Sequence, residues 1–161
     1  MAFTTDPGTR VGHIHLKVAD LDRAIAFYRD VMGFAVQQHY GRQAAFLSAG
    51  DYHHHIGLNT WDSAAGKPPG PGRTGLYHVA FVYPDRPALA RTLKSVLAAG
   101  VPLEGAADHG VSQAIYFRDP DDNGLEIYWD REPALWPRDA KGELAMINDP
   151  LDLDALLAEA G

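Results

Sequence analysis

Leu125, Ile127 and Trp129 alternate with Glu126 and Tyr128 over residues 124–130, so the segment reads as a half-buried strand with one apolar and one polar face. The same period-two pattern predicts strands over residues 11–18, 34–40, 43–49, 52–61, 76–83, 101–107 and 111–117. Apolar residues at helical spacing, Leu21, Ala24, Ile25, Tyr28, Val31 and Met32, predict a helix with Asp20 as its N-cap and Gly33 at its C-terminal end. Leu89, Leu93, Val96 and Leu97 predict a second one, capped by Asp85, with Pro87 tolerated in its first turn and Gly100 after it. The element order is strand, helix, three strands, and then the same again. Residues 62–75, rich in Pro and Gly, read as a linker between the halves. Residues 131–150 are expected to be irregular, and residues 152–160 to form a short helix with Leu153, Leu156 and Leu157 on one side.

The duplication is visible in residues as well as in order. Gly12-His13-Ile14 matches Tyr77-His78-Val79, Asp20 matches Asp85, and Ile56-Gly57-Leu58 matches Leu125-Glu126-Ile127. Two halves related by a pseudo-twofold axis bring the first and fourth strands of each to equivalent positions near the axis. Those positions are His13, Gly57, His78 and Glu126. Two imidazoles and one carboxylate, with a side-chain-free fourth position, are the donor set expected of a divalent metal that keeps coordination places for substrate and dioxygen, Fe(II) above all.

Composition narrows the classes. The 161 residues suit one domain with a real core, at 46% hydrophobic content. A net charge of -7 argues against nucleic acid and anionic membrane surfaces. No apolar run is long enough to span a bilayer, and residues 1–10, a loose polar arm, contain no signal-peptide core. With 0 Cys there is neither disulfide nor thiolate site, which fits a cytoplasmic location. Eight His stand out, three of them consecutive at 53–55.

Residues 12–18 and 26–34, with Tyr52–Trp61, Asp108–Ser112 and Asp119–Arg131, resemble the vicinal oxygen chelate superfamily of glyoxalases, bleomycin-resistance proteins and extradiol dioxygenases, and within it the catechol 2,3-dioxygenase-like members. The resemblance covers residues 11–131. It implies an α+β fold in which two βαβββ motifs, 11–61 and 76–130, form one cup-shaped mixed sheet with helices outside and a C-terminal tail over 131–161. It places the metal ligands on His13, His78 and Glu126. It also implies a second-sphere histidine at His54, although strict strand parity turns His55 and His53 toward the face of Gly57 instead, so His55 stays as the alternative. Tyr116, ten residues before the glutamate, and His109, in the preceding loop, match positions that hydrogen-bond substrate oxygens. Asp122 stands where the family's turn usually has Gly.

What the resemblance implies is Fe(II)-dependent extradiol cleavage of an aromatic diol by O2 in aromatic catabolism, with His54 moving a proton, by a homodimer whose second copy completes or shields the pocket. Two competing readings remain open at this level. One is a glyoxalase-like lyase or isomerase using Mn(II), Ni(II), Co(II) or Zn(II), which the absence of a carboxylate at Gly57 disfavours. The other is a resistance-type binding protein, which the three donors disfavour.

Overall fold

The computed structural model describes residues 2–161, so Met1 of the expected N-terminal arm lies outside the described residues. Two βαβββ halves follow one another. The first comprises β1 (Ile14–Lys17), α1 (Leu21–Ala26) continued by a π-helical turn (Phe27–Val31), β2 (Ala35–Tyr40), β3 (Ala44–Ser48) and β4 (Ile56–Asn59). The second comprises β5 (Val79–Tyr83), α2 (Arg86–Ala98), β6 (Leu103–Asp108), β7 (Ser112–Arg118) and β8 (Gly124–Asp130). A 3-10 turn (Pro133–Leu135), the two-residue strand β9 (Asp149–Pro150) and α3 (Leu153–Leu157) complete the chain.

There are two mixed sheets, ordered β1-β4-β3-β2 and β5-β8-β7-β6-β9. The duplication holds down to the register. β1 runs parallel to β4 with His15 opposite Gly57, and β5 runs parallel to β8 with Ala80 opposite Glu126. Both halves carry a register shift at the corresponding place, between Val36 and Gln38 and between Leu103 and Gly105. The helix starts match too: Asp20 accepts from the Arg23 N–H at 3.0 Å, and Asp85 from the Ala88 N–H at 2.7 Å.

The strands expected from residues 11 and 76 begin only at Ile14 and Val79, so His13 and His78 both stand just before a strand, and three further segments differ from the sequence reading. The helix expected over residues 21–32 widens at Phe27, where the Met32 N–H reaches the Phe27 carbonyl at 3.1 Å, and this turn carries both Phe27 and Tyr28 into the core. The strand expected over 52–61 begins only at Ile56; residues 50–55 form a loop that turns at Gly50. The tail is not wholly irregular: β9 adds to the edge of β6, pairing Asp149 with Asp108. No helix among the described residues is long and apolar enough to cross a membrane.

One hydrophobic cluster spans both halves, with Phe34 against Phe81 at a ring separation of 5.2 Å and Leu156 of the tail fully buried. Polar contacts join the halves at the turn before β8. The Asp119 carboxylate accepts from the buried Tyr28 hydroxyl at 2.9 Å, and Asp121 accepts from the Ala19 N–H at 3.0 Å and from Arg23 at 2.7 Å. Asp119 also holds its own turn, accepting from the N–H of Asp121 and from the backbone and side-chain N–H of Asn123. Asp122 takes the left-handed conformation the turn needs, at φ 66°.

Burial, followed by the charge of Asp119, holds the Tyr28 hydroxyl well above the ordinary phenol range, so it remains a donor. Above about pH 10 the unfolded chain releases this proton and the folded chain keeps it, so stability falls as pH rises. Tyr28→Phe is expected to cost about 1–2 kcal/mol at pH 7 and to flatten that alkaline slope. Urea denaturation at pH 7 and across pH 9–11 measures both. An unchanged slope would show that Tyr28 does not hold its proton in the fold.

Candidate functional site

Glu126 lies in the middle of β8, directly opposite Tyr116 on β7 and Ala80 on β5. It is only 9% exposed, so the polar face of this strand does not simply meet water. His78 stands immediately before β5. Its Nε2 approaches Glu126 Oε2 at 3.0 Å. Gly124 makes this approach feasible: a Cβ there would lie 2.3 Å from the Tyr77 carbonyl oxygen and 3.2 Å from the His78 Cβ. The start of β8 is thus pressed against the backbone that presents His78.

A chain of side chains extends from this pair. The Tyr116 hydroxyl lies 3.4 Å from Glu126 Oε1 and 2.9 Å from His109 Nε2, and His109 Nδ1 lies 3.2 Å from the Ile147 carbonyl in the tail. A carbonyl oxygen only accepts, so Nδ1 carries the proton. In the neutral ring Nε2 is then the acceptor for Tyr116, and Glu126 Oε1 is left for a cation. Burial, then the charge of Glu126, pushes the Tyr116 hydroxyl up to about 12. The His109 loop is itself fixed by Asp108, which accepts from the Gly110 N–H at 2.8 Å, from Gln113 at 2.8 Å and from Arg131 at 2.6 Å. Tyr77, His78, His109, Tyr116 and Arg118 line a recess of about 390 Å³.

The first half presents a different cluster. The ring of His54 lies 4.5 Å from that of His13 and 4.9 Å from that of Phe46, and His53 Nδ1 lies 2.7 Å from His54 Nδ1. His55 turns the other way: its Nδ1 meets Ser48 Oγ at 2.9 Å. It is therefore His54, carried by the loop rather than by strand parity, that stands beside His13. Burial, then the charges of His13 and His53, pull the His54 imidazole below its ordinary range.

His15 was not singled out in the sequence. A Cβ on Gly57 would lie 2.9 Å from His15 Cγ, so the space over Gly57 is covered by this ring, which faces Trp61 at 5.6 Å and Phe46 at 6.0 Å. Burial, then His13, lowers its pKa. The signal was available: His15 alternates with His13, and a parallel β1–β4 pair sets it beside Gly57.

The structure thus brings His78, Glu126, Tyr116 and His109 together, and brings His13 to His54. It does not bring the two groups to each other. Among the described residues no group of three His, Asp or Glu side chains could hold a metal ion within one chain. A larger cavity of about 670 Å³ lies between the start of β1, the end of the first helix and the length of β5, and is lined by neither Glu126 nor His78.

Residues 10–127 match the glyoxalase/bleomycin resistance protein/dioxygenase superfamily. The chain belongs to this superfamily. It is 37% identical over 153 residues to a catechol-2,3-dioxygenase of Bacillus subtilis (strain 168), across 95% of this chain and 53% of that protein. It is 30% identical over 128 residues to biphenyl-2,3-diol 1,2-dioxygenase 3 of Rhodococcus globerulus, across 75% of this chain and 63% of that one. The chain therefore spans about half the length of the first relative and less than two thirds of the second. Among solved structures, a lactoylglutathione lyase from Agrobacterium tumefaciens superposes with a TM-score of 0.58 at 27% identity, over 77% of this chain and 96% of that one. A glyoxalase/dioxygenase from Nostoc punctiforme shares the fold, with a TM-score of 0.65 at 22% identity over 82% of this chain and 99% of that one.

The Ile147–His109–Tyr116 relay makes a prediction that needs no substrate. In a double-mutant cycle of His109→Ala with Tyr116→Phe, the two substitutions are expected to couple by about 0.5–1.5 kcal/mol in unfolding free energy. His54→Ala with Tyr116→Phe should be additive. Additivity in the first cycle would mean that His109 and Tyr116 are not hydrogen-bonded in solution.

Proposed function

We propose that this chain is a metal-dependent extradiol-type dioxygenase that opens a catechol-like aromatic ring with O2, using Fe(II). The observation that carries the reading is the half-buried His78–Glu126 pair, with Tyr116 and His109 behind it, at the place where the other half has only Gly57. Its supports are the duplicated register, which singles out the same positions, and the dioxygenase names of the relatives matched over most of this chain. A further relative, 30% identical over 139 residues, is named a manganese-dependent 2,3-dihydroxybiphenyl 1,2-dioxygenase, which makes Mn(II) the first alternative metal.

The residues fit such a cation. His78 Nε2 and Glu126 Oε2 converge at 3.0 Å, and nitrogen with oxygen donors suits Fe(II) or Mn(II). His13, the third donor that the repeat selects, stands apart from this pair within one chain, so the fit rests on His78 and Glu126. His78 and Glu126 would hold a divalent metal, which would supply Lewis-acid chemistry and a common place for a diol and dioxygen.

The chain's own side chains do the remaining work. His54, with its pKa lowered, is a neutral base at neutral pH and takes the proton from a substrate hydroxyl, returning it as the ring opens. Tyr116, at about 12, keeps its proton throughout that range and donates it to His109 Nε2, which leaves its hydroxyl oxygen to accept from a substrate hydroxyl. Phe46 and Trp61 both lie against His15, and Phe46 also against His54, so they add aromatic surface beside the histidines.

One observation favours a second reading. The His15 ring covers Gly57, where lyase-type relatives usually place a fourth ligand, and so brings another nitrogen close to that position. A four-donor centre would suit a glyoxalase-like isomerase with Ni(II), Co(II) or Zn(II). Oxygen uptake separates the two.

Protein purified without oxygen and loaded with Fe(II) is expected to consume O2 with members of a catechol panel in an oxygen electrode; no uptake with any of them overturns the dioxygenase reading. His54→Ala should keep its metal and lose about 10²–10⁴-fold in kcat. Full turnover by that variant would remove the role given to His54.

A further inference from the structure

We infer that Gln113 and Arg86 are positioning residues for the His109–Tyr116 pair, held in turn by Glu159 near the C-terminus, and that they act through Asp108. The inference rests on the reading above, which gives Tyr116 a substrate hydroxyl to bind.

His109 sits in the turn between β6 and β7, and its ring reaches Tyr116 only if that turn is fixed. Two bonds close it. Asp108 Oδ1 accepts from the Gly110 N–H at 2.8 Å, and the His109 N–H reaches the Ser112 carbonyl at 2.9 Å. The direction of the Asp108 carboxylate is set at its other oxygen, which accepts from Gln113 Nε2 at 2.8 Å and from Arg131 Nη2 at 2.6 Å.

Gln113 is only 6% exposed, so both ends of its amide need partners. A guanidinium only donates. Arg86 Nη1 on Gln113 Oε1 therefore turns the donor end of the amide to Asp108. Arg86, the first residue of α2, uses the rest of its fork on Glu159, with Nε at 3.0 Å and Nη2 at 2.8 Å from Oε1. The ring of Trp129, opposite Gln113 in the β7–β8 ladder, lies 6.0 Å from the Arg86 guanidinium and 5.8 Å from that of Arg131, and so packs against both cations.

Glu159 lies in a 3-10 turn (Ala158–Ala160) that is docked by other means: Leu156 and Ala160 are buried, and Lys94 Nζ donates to the Gly161 carbonyl at 3.1 Å. The Glu159 carboxylate is thus available to hold Arg86. The order Glu159, Arg86, Gln113, Asp108, Arg131 alternates anion, cation, amide, anion, cation, and every buried group in it is satisfied in one orientation. The cost of losing that orientation falls on Tyr116. Its hydroxyl has two acceptors in reach, His109 Nε2 at 2.9 Å and Glu126 Oε1 at 3.4 Å. A displaced His109 gives the proton to Glu126 and occupies an oxygen that a cation needs.

Nitrogen NMR of the imidazoles of the full chain tests this without substrate, with the His109 signals identified by their loss in His109→Ala. At about pH 8, above the ordinary histidine range, the wild-type ring should show one tautomer, with the proton on Nδ1. Gln113→Met removes both amide contacts and leaves Asp108 its Arg131 partner. It should draw the two His109 nitrogen shifts toward each other as the ring exchanges between tautomers. Arg86→Lys, a point charge that serves Glu159 but cannot span to Gln113, should do the same and guards against a folding defect in the first variant. Lys94→Ala loosens the same C-terminal turn outside the chain of contacts and should leave the His109 shifts in place. With Fe(II) and whichever catechol the wild type consumes, Gln113→Met should lose about 10–100-fold in kcat/KM at unchanged metal content. Unaltered His109 shifts in both Gln113→Met and Arg86→Lys, an equal change in Lys94→Ala, or full kcat/KM in Gln113→Met overturns the inference. A wild type that consumes no O2 removes the dioxygenase reading, while the expected shift changes would still establish that Gln113 and Arg86 position His109.

Discussion

The turn that opens β8 is the constraint on which the rest depends. Its two carboxylates act in different directions. Asp119 folds the turn on itself and accepts the only hydroxyl of a fully buried tyrosine; Asp121 reaches across to the backbone and guanidinium at the start of the first helix. Two buried carboxylates would be costly if unpaired: Asp119 is supplied with donors on both oxygens, whereas Asp121 takes both of its donors, from the other half, on Oδ1 and leaves Oδ2 without a partner among the described residues. The same turn delivers Gly124 against Tyr77, and so determines how closely Glu126 approaches His78. Half-to-half docking and the donor pair are therefore consequences of one segment.

That coupling explains which features were legible in the sequence. Period-two alternation identified β8 to its end residues, but it is blind to the burial of Glu126 on the polar face. The repeat identified His13, Gly57, His78 and Glu126 as equivalent, and the ladders place Gly57 and Glu126 at matching positions opposite His15 and Ala80. Periodicity says which face a side chain takes; it is silent on how two duplicated halves slide against each other. The separation of His13 from Glu126 depends on Tyr28, Arg23, Asp119 and Asp121, four residues whose partners lie 91 to 102 positions away. Nothing local marks such pairs.

The triple histidine shows another limit. Parity counted back from Gly57 pointed to His55 and His53, but it assumed a strand over a segment that turns out to be a loop. Freed from the strand, His54 goes to His13 and His55 to Ser48. The tail shows a third. Its contribution to the site is a backbone carbonyl, at Ile147, and a carbonyl is the same in every residue. Only the return of the chain, through β9 on the edge of β6, brings it to His109.

Duplication followed by divergence gives the two halves unlike chemistry on like frames. The first half carries imidazoles, His13, His15, His53 and His54, and has no side chain at Gly57. The second has one carboxylate, one imidazole and a hydroxyl relay behind them. An anionic donor next to several neutral ones is what a divalent cation with exchangeable places requires, and neither half offers it alone: a His-rich face lacks the charge, and a His–Glu pair lacks the number of donors. The turn before β8 joins the two halves of one chain through the Tyr28–Asp119 and Arg23–Asp121 contacts, and that docking decides where each group of donors stands.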